Sequence, residues 1–442
     1  MKKWFIWSLC LFVFAACSDD NNENDDSGNK PNNDIGSVLT LESAGTMTVG
    51  KDDNAEIIRA LPGKSGAILI SSKAHRITRL TFDDAKGIAG AEQATKELAE
   101  DDEFTSGQLY DEHTMLVTHT ILEKASDASD AAITGCSGEI VALSLETGSA
   151  FGSEIARETV GAMPDAVGLS PDKKWAVSCD EHDSEAKAWG KCSVETILPS
   201  VTILDMAKGV TGMKAVAKIR FTENKLGPRE PEYAAIASDN DTVMVTLQDS
   251  DEVAIFKISE VMAQSAGDNG IIELDESAVK TVALPTNDAQ AQPWPDGIVS
   301  FDISGKSYFV IAGEWNDTII TLDTDGNVVS NIQIKESEVP SNYPCVKNGS
   351  DPLYSPDSLA VFTKNGKTFV AATLRHAGAV IVYDYSSPAS PKFSAIAKVG
   401  ANDSTACSKD GSSVRPEGIS SDGELIWVAN EGDSSVSVVR IR

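Results

Sequence analysis

An all-β chain folded as a seven-bladed β-propeller is the architecture that this 442-residue sequence predicts. Three observations carry the expectation. First, a proline followed by an acid recurs at Pro164-Asp165, Pro231-Glu232, Pro295-Asp296, Pro356-Asp357 and Pro416-Glu417, with successive prolines 67, 64, 61 and 60 residues apart. Second, each dipeptide opens the same programme: a short apolar segment, a Gly/Asp/Asn/Lys turn, a strand, a polar tip and another strand. Third, Arg442 follows directly on the third strand of the last unit, so that unit needs a strand from elsewhere, and the β-rich Val38-Leu-Thr-Leu or Met47-Thr-Val can supply it. Joining first to last removes the exposed edges of an open array.

The programme is clearest in two units. Pro231-Glu232 leads to Val243-Met-Val-Thr-Leu, the tip Gln248-Asp-Ser-Asp-Glu, and Val253-Ala-Ile-Phe. Pro416-Glu417 leads to Leu425-Ile-Trp-Val-Ala, the tip Asn430-Glu-Gly-Asp-Ser, and Ser435-Val-Ser-Val-Val. Two upstream copies lack the proline. One starts near Glu56 and carries Ala67-Ile-Leu-Ile-Ser with His75 at its tip. The other starts near Glu103, carries Met115-Leu-Val-Thr with His119 at its tip, and resumes at Glu139 after an insertion over 121–138. A second long insertion spans 180–199. Segments of that length inside compact domains often carry function.

Ahead of the units, residues 1–16 combine a basic end at Lys2 and Lys3, an apolar run from Trp4 to Phe14, and small residues before Cys17. That order is a secretory signal. Residues 17–36 are acidic and polar with nothing to bury, which predicts a solvated tether, and the propeller occupies 37–442. The charge is -30, from 37 Lys plus Arg against 67 Asp plus Glu, and loss of Lys2 and Lys3 with the signal takes it to -32. Such a chain does not seek phosphate, so nucleic acid is not an expected partner. Beyond the leader no apolar run is long enough to span a bilayer as a helix. Five cysteines follow Cys10 and Cys17. In an oxidising compartment two disulfides and one free thiol are the simplest count, and Cys345 with Cys407 is the expected bridge between adjacent loops.

Phe14-Ala15-Ala16-Cys17 resembles the bacterial lipobox, and the acidic run after it resembles the surface-export signal of Bacteroidetes lipoproteins. The resemblance implies lipidation at Cys17 with palmitate-type chains, and an outer-membrane protein facing outward. Contact with the membrane would then be through the lipid anchor only. Trp427-Val-Ala-Asn430 with Ser435-Val-Ser-Val-Val, and the acid at each blade start, resemble bacterial surface YVTN and lactonase-like seven-bladed propellers. The likeness spans about residues 37–442 and is strongest after 160. It is specific for fold and poor for function, because this fold hosts binders, scaffolds and enzymes.

Propeller geometry brings blade starts and the tips between second and third strands to one face. The starts bring Asp165, Glu232, Asp296, Asp357 and Glu417, with Glu56 and Glu103 as equivalents. This ring can hold a hard cation such as Ca²⁺ through oxygen ligands. It can equally brace the blade entrances by accepting backbone N–H groups. Residues that recur in every unit serve the repeat, whereas unrepeated ones serve a ligand. That logic selects Trp315, Glu314, Arg375, His376, His182, Gln248 and Glu431 as ligand-binding candidates, with Trp189 in the second insertion. Trp294 suits either blade packing or a pocket wall.

No Gly-x-Ser-x-Gly elbow, His-Glu-x-x-His or phosphate-binding Gly-Lys-Ser/Thr loop is present, and no catalytic residue is nominated. The leading expectation is a surface lipoprotein that binds a small-molecule ligand or nutrient, or an envelope protein. By resemblance it would be accessory to a TonB-dependent transporter, as some such lipoproteins that capture vitamin B12 are. A Ca²⁺-dependent hydrolase of the lactonase or phytase kind is the alternative, and a protein-interaction scaffold is the third.

Overall fold

The structure, a computed structural model, describes residues 39–50, 54–96, 102–124, 133–182, 197–343, 353–401, 407–408 and 411–442. The signal, the tether, Cys17, Trp189, Cys192 and Cys345 lie outside them, as does the side chain of Cys407 and with it the expected Cys345–Cys407 bridge. The compact unit is Leu39–Arg442. Among the described residues no helix is long and apolar enough to cross a membrane.

Seven antiparallel sheets follow one another along the chain. The innermost strands are Ala55–Leu61, Glu103–Asp111, Pro164–Leu169, Pro231–Ile236, Pro295–Ile303, Pro356–Lys364 and Pro416–Ser421. Each pairs with the next strand in sequence, and the third and fourth follow outward, so the seven expected blades are present. The last is completed as predicted. Leu41–Thr48 lies antiparallel to Ser435–Ile441, in a register running from Leu41 opposite Ile441 to Thr48 opposite Ser435. Ring closure thus joins residues almost a whole chain apart.

The apolar residues alternate along each strand and meet those of the next blade, giving one core at each of the seven interfaces. The seam between last and first blade packs Leu425, Trp427, Ala429, Val436 and Val438 against Ala55, Ile58, Ala67, Leu69 and Leu80. Trp427 is wholly buried there, edge-on to Phe82 at 6.2 Å. Each such side chain contributes about 1.5–3 kcal/mol by leaving water.

Two features depart from the sequence expectation. The insertion over 121–138 is in large part sheet: Thr114–Lys124 and Ile133–Ser144 pair from Thr114 opposite Ser144 to Lys124 opposite Ile133. His119 therefore sits inside a strand, not at a tip. Between the third and fourth strands of blade four the chain forms a short helix, Ile258–Met262, and then lends Ile272–Asp275 to blade three as a fifth strand, parallel to Lys214–Arg220. Of the thiols, Cys179 is free and buried and Cys136 is in a disulfide.

Candidate functional site

The acid at each blade start is positioned by an irregularity in the sheet. Pairing between first and second strands skips Glu56, Asp165, Glu232, Asp296, Asp357 and Glu417, each at a β-bulge directly after the residue that opens the blade. A bulge re-aims a side chain. The freed N–H groups are met from the second strand, where Thr246 accepts from the Tyr233 amide and Thr373 from the Ser358 amide, both at 3.0 Å. In blade two the corresponding bond runs from the Ser106 amide to Thr118, so the position equivalent to the acids is Thr105, not Glu103. The ring accordingly has six carboxylates, with a threonine in the second blade.

Two further devices repeat with it. The residue ahead of the blade start is left-handed at Asn54 (φ 53°), Met163 (51°), Trp294 (46°), Ser355 (52°) and Arg415 (43°), a costly backbone for a non-glycine residue, above all before proline. Its carbonyl accepts the amide of the first tip residue: Glu181 to Met163 at 3.0 Å, Gln248 to Glu230 at 3.0 Å, Glu314 to Trp294 at 3.3 Å, Arg375 to Ser355 at 2.9 Å and Glu431 to Arg415 at 3.0 Å. Start and tip are thereby locked side by side on one face. Glycine after the acid lets neighbouring inner strands touch: a Cβ on Gly297 would stand 2.7 Å from the Asp357 carbonyl oxygen.

This register shows which residues share a site. Gln248, Glu314, Trp315, Arg375 and His376 line one cavity of about 360 Å³ together with Trp294, Asp296 and Arg415. Glu431 is tied to its wall, since Arg415 approaches its carboxylate at 3.0 Å and Arg375 at 3.5 Å. Trp294 and Trp315 meet edge to face at 4.6 Å. The Trp294 indole N–H donates to Asp249 at 2.6 Å and its amide to Asp251 at 2.8 Å, so Trp294 is the fixed wall and Trp315, 42% exposed, the accessible one. His182 is buried on blade three and does not line the cavity, whereas its neighbour Glu181 occupies the first tip position. His119 is buried between Glu139 at 3.3 Å and Asp102 at 3.7 Å.

Arg375 organises one half of the ring. Its guanidinium stands 3.5 Å from Glu314, 3.5 Å from Asp357, 3.7 Å from Glu417 and 3.5 Å from Glu431. Burial opposes its charge, but the carboxylates Glu417, Asp357, Glu314 and Glu431 hold it protonated well above the ordinary range. Around it, burial pushes Asp357 up to about 7 in spite of Arg375, with Glu314 and Glu431 adding to the rise. Burial also lifts Glu417 and Asp296 well above the carboxylate range, the first against Arg375 and the second reinforced by Asp357 and Glu314. Glu431 goes the other way: burial acts against its charge, but a hydrogen bond from Glu417 and the nearby Arg415 and Arg375 keep it ionised.

The opposite half is built differently. Burial raises Glu232 well above its usual range, with Glu181 and Asp165 as the nearest like charges. Carboxylate oxygens of Asp165, Glu181 and Glu232 all lie within 4.8 Å of one another, a spacing that fits oxygen ligands around one hard cation. Glu56 accepts hydrogen bonds from Ser72 and Asn54 and is raised to about 8 by burial, against the Ser72 bond. Glu181 joins two of the five sequence-nominated metal ligands, while Asp357 and Glu417 face Arg375 instead.

Fold and site together define a seven-bladed β-propeller with an acidic axial ring and a mixed-charge aromatic cavity beside it. Residues 227–351 match the model of the choice-of-anchor I domain. No curated protein matches the chain by sequence. Among solved structures it is similar to virginiamycin B lyase from Staphylococcus aureus (13% identity, TM-score 0.54, covering 91% of this chain and 99% of that one). It is likewise similar to the periplasmic gluconolactonase of Pseudomonas aeruginosa (14%, 0.53, 87% and 91%) and to a putative 6-phosphogluconolactonase from Bacteroides fragilis (12%, 0.52, 88% and 91%). At such identities the likeness is one of fold.

Proposed function

We propose that the protein is a surface lipoprotein that captures a small polar organic ligand in the cavity walled by Trp294 and Trp315. One observation carries this reading: five of the seven residues nominated as unrepeated tips converge on that single cavity. Trp315 offers a flat face for the apolar side of a hydroxylated or zwitterionic molecule, Arg375 and Arg415 offer donors, Asp296 and Glu314 acceptors, and Gln248 and His376 either. The cavity size suits a nutrient fragment more than a macromolecule. Lipidation at Cys17, outward display and service to a TonB-dependent transporter belong to the same proposal, and the choice-of-anchor match supports surface placement. Labelling with a palmitate analogue tests the anchor. The wild type should label and fractionate with the outer membrane, and Cys17→Ala should do neither; equal labelling of both would refute lipidation at that residue.

A second reading, a Ca²⁺-dependent hydrolase of lactone or phosphoester substrates, is favoured by the Asp165, Glu181 and Glu232 cluster. One experiment separates the two. The melting temperature of residues 37–442 is followed against divalent cations, cobalamins, sugars and siderophores, with Trp315→Ala and the double variant Asp165→Asn, Glu232→Gln alongside. Capture predicts a rise with an organic ligand whose affinity falls roughly 10- to 100-fold in Trp315→Ala and is kept in the double variant. A rise with Ca²⁺ alone, lost in the double variant, transfers the assignment to the hydrolase. No rise with any small molecule leaves an envelope protein as the partner.

A further inference from the structure

The axial channel has a second cavity, of about 370 Å³, further along the innermost strands. It is lined from all seven blades and includes Arg59, Gln108, Tyr233, Ser300, Ser358 and Ser420. Arg59 follows Glu56 by three residues on its strand, so it lies roughly 10 Å below the acidic ring, toward the opposite face. Its Nε donates to the Gln108 amide oxygen at 3.1 Å and one terminal nitrogen to the Ile58 carbonyl at 3.0 Å. Among the described residues no carboxylate pairs with it, whereas Arg375 has four. The remaining N–H donors of Arg59 face the lumen, where an anion can complete them.

At that end the turns joining first and second strands, with the strand residues beside them, carry Lys64, Lys173, Lys174, Lys306, Lys364 and Lys367 interleaved with Asp172, Asp239, Asp241, Asp302, Asp422 and Glu424. Lys64 and Lys364 share Glu424, Lys174 pairs with Asp172 and Lys367 with Asp384, while Lys173 lies over the Tyr110 ring at 5.4 Å. The rim is therefore of mixed charge, and selection of an anion rests on Arg59 within the channel.

We propose that this end of the channel binds a hydroxylated organic monocarboxylate of sugar-acid size, its carboxylate on Arg59. One guanidinium balances one negative charge. The Tyr233 and serine side chains lining the cavity suit a hydroxylated body. The site is separate from the tryptophan cavity and does not depend on what binds there.

The test is thermal melting of residues 37–442 with sodium glucuronate, against glucuronamide as the neutral isostere and sodium chloride at matched ionic strength. Glucuronate should raise the melting temperature by roughly 2–4 °C at saturation, and the two controls should not. Arg59→Gln should abolish the rise. Because that variant alters a buried charge, Gln108→Glu serves as the second: it gives Arg59 an internal carboxylate, so the free protein should melt higher and glucuronate should add nothing. Trp315→Ala should respond like the wild type. Equal rises with glucuronamide or chloride, a response surviving in Gln108→Glu, a response lost in Trp315→Ala, or none in the wild type would each overturn the proposal.

Discussion

Replacing Arg375 with Met should destabilise the protein by about 3–5 kcal/mol at pH 8, with most of that loss recovered at pH 5. The side chain lies within 3.5–3.7 Å of Glu314, Asp357, Glu417 and Glu431, and Met fills much of its volume, so the effect is one of charge. The pH dependence follows from proton counting. Carboxylates whose folded pKa is raised bind more protons folded than unfolded in the interval between the two values, so stability is fully present below the unfolded pKa and falls as pH rises through the folded one. For Asp357 the interval runs from its ordinary value of 3.8 to about 7, and for Glu56 from 4.5 to about 8. The wild type should therefore already melt lower at pH 8 than at pH 5. Loss of Arg375 raises Asp357 and Glu417 further and steepens that fall, partly offset by Glu431, which keeps Arg415. Melting curves of both proteins from pH 5 to 8 check this; a deficit independent of pH would show that Arg375 acts through packing instead.

Starting the chain at Lys51 should be as damaging. Removal of Leu41–Thr48, with Leu39 ahead of it, leaves Ser435–Ile441 as a bare edge, and strips Leu39 and Leu41 from the core between the last two blades and Met47 from the seam. Some half-dozen ladder hydrogen bonds at about 0.5–1.5 kcal/mol each are lost, and the edge becomes a template for association. Residues 51–442 should melt at least roughly 10 °C below residues 37–442 and aggregate on heating, and a peptide of residues 39–50 added in trans should restore part of the difference. Equal melting of the two proteins would mean that the seam core alone closes the ring.

Much of this was legible in the sequence because the repeat is punctuated. Pro-Asp and Pro-Glu mark the blade starts, since proline needs no N–H at a strand's first residue and the acid follows at the bulge. Blade two has neither, and its acid equivalent was misplaced by two residues, at Glu103 and not Thr105. The strand from Ile272 had no readable signal, because parallel pairing with a neighbouring blade leaves no local pattern. Within the site, the contrast between repeated and unique tips picks out Gln248, Glu314, Trp315, Arg375 and His376, which the fold brings to one cavity. It overlooked Arg415, which precedes Pro416 as Trp294 precedes Pro295, and it chose His182 where the 17-residue offset from Pro164 to Glu181, matching that from Pro231 to Gln248, selects Glu181. His119 was misjudged because its strand runs past the length of the others.

The strand Ile272–Asp275, contributed by blade four and hydrogen-bonded into blade three, has a bearing on cooperativity. In an ideal tandem array each unit interacts with its neighbours through side-chain packing, and unfolding can begin in any of them. Here backbone hydrogen bonds cross from one unit to the next, so blade three cannot lose its outer edge without unravelling the segment that leads into the last strand of blade four. These two units should therefore open together, with amide exchange across both proceeding through one shared event.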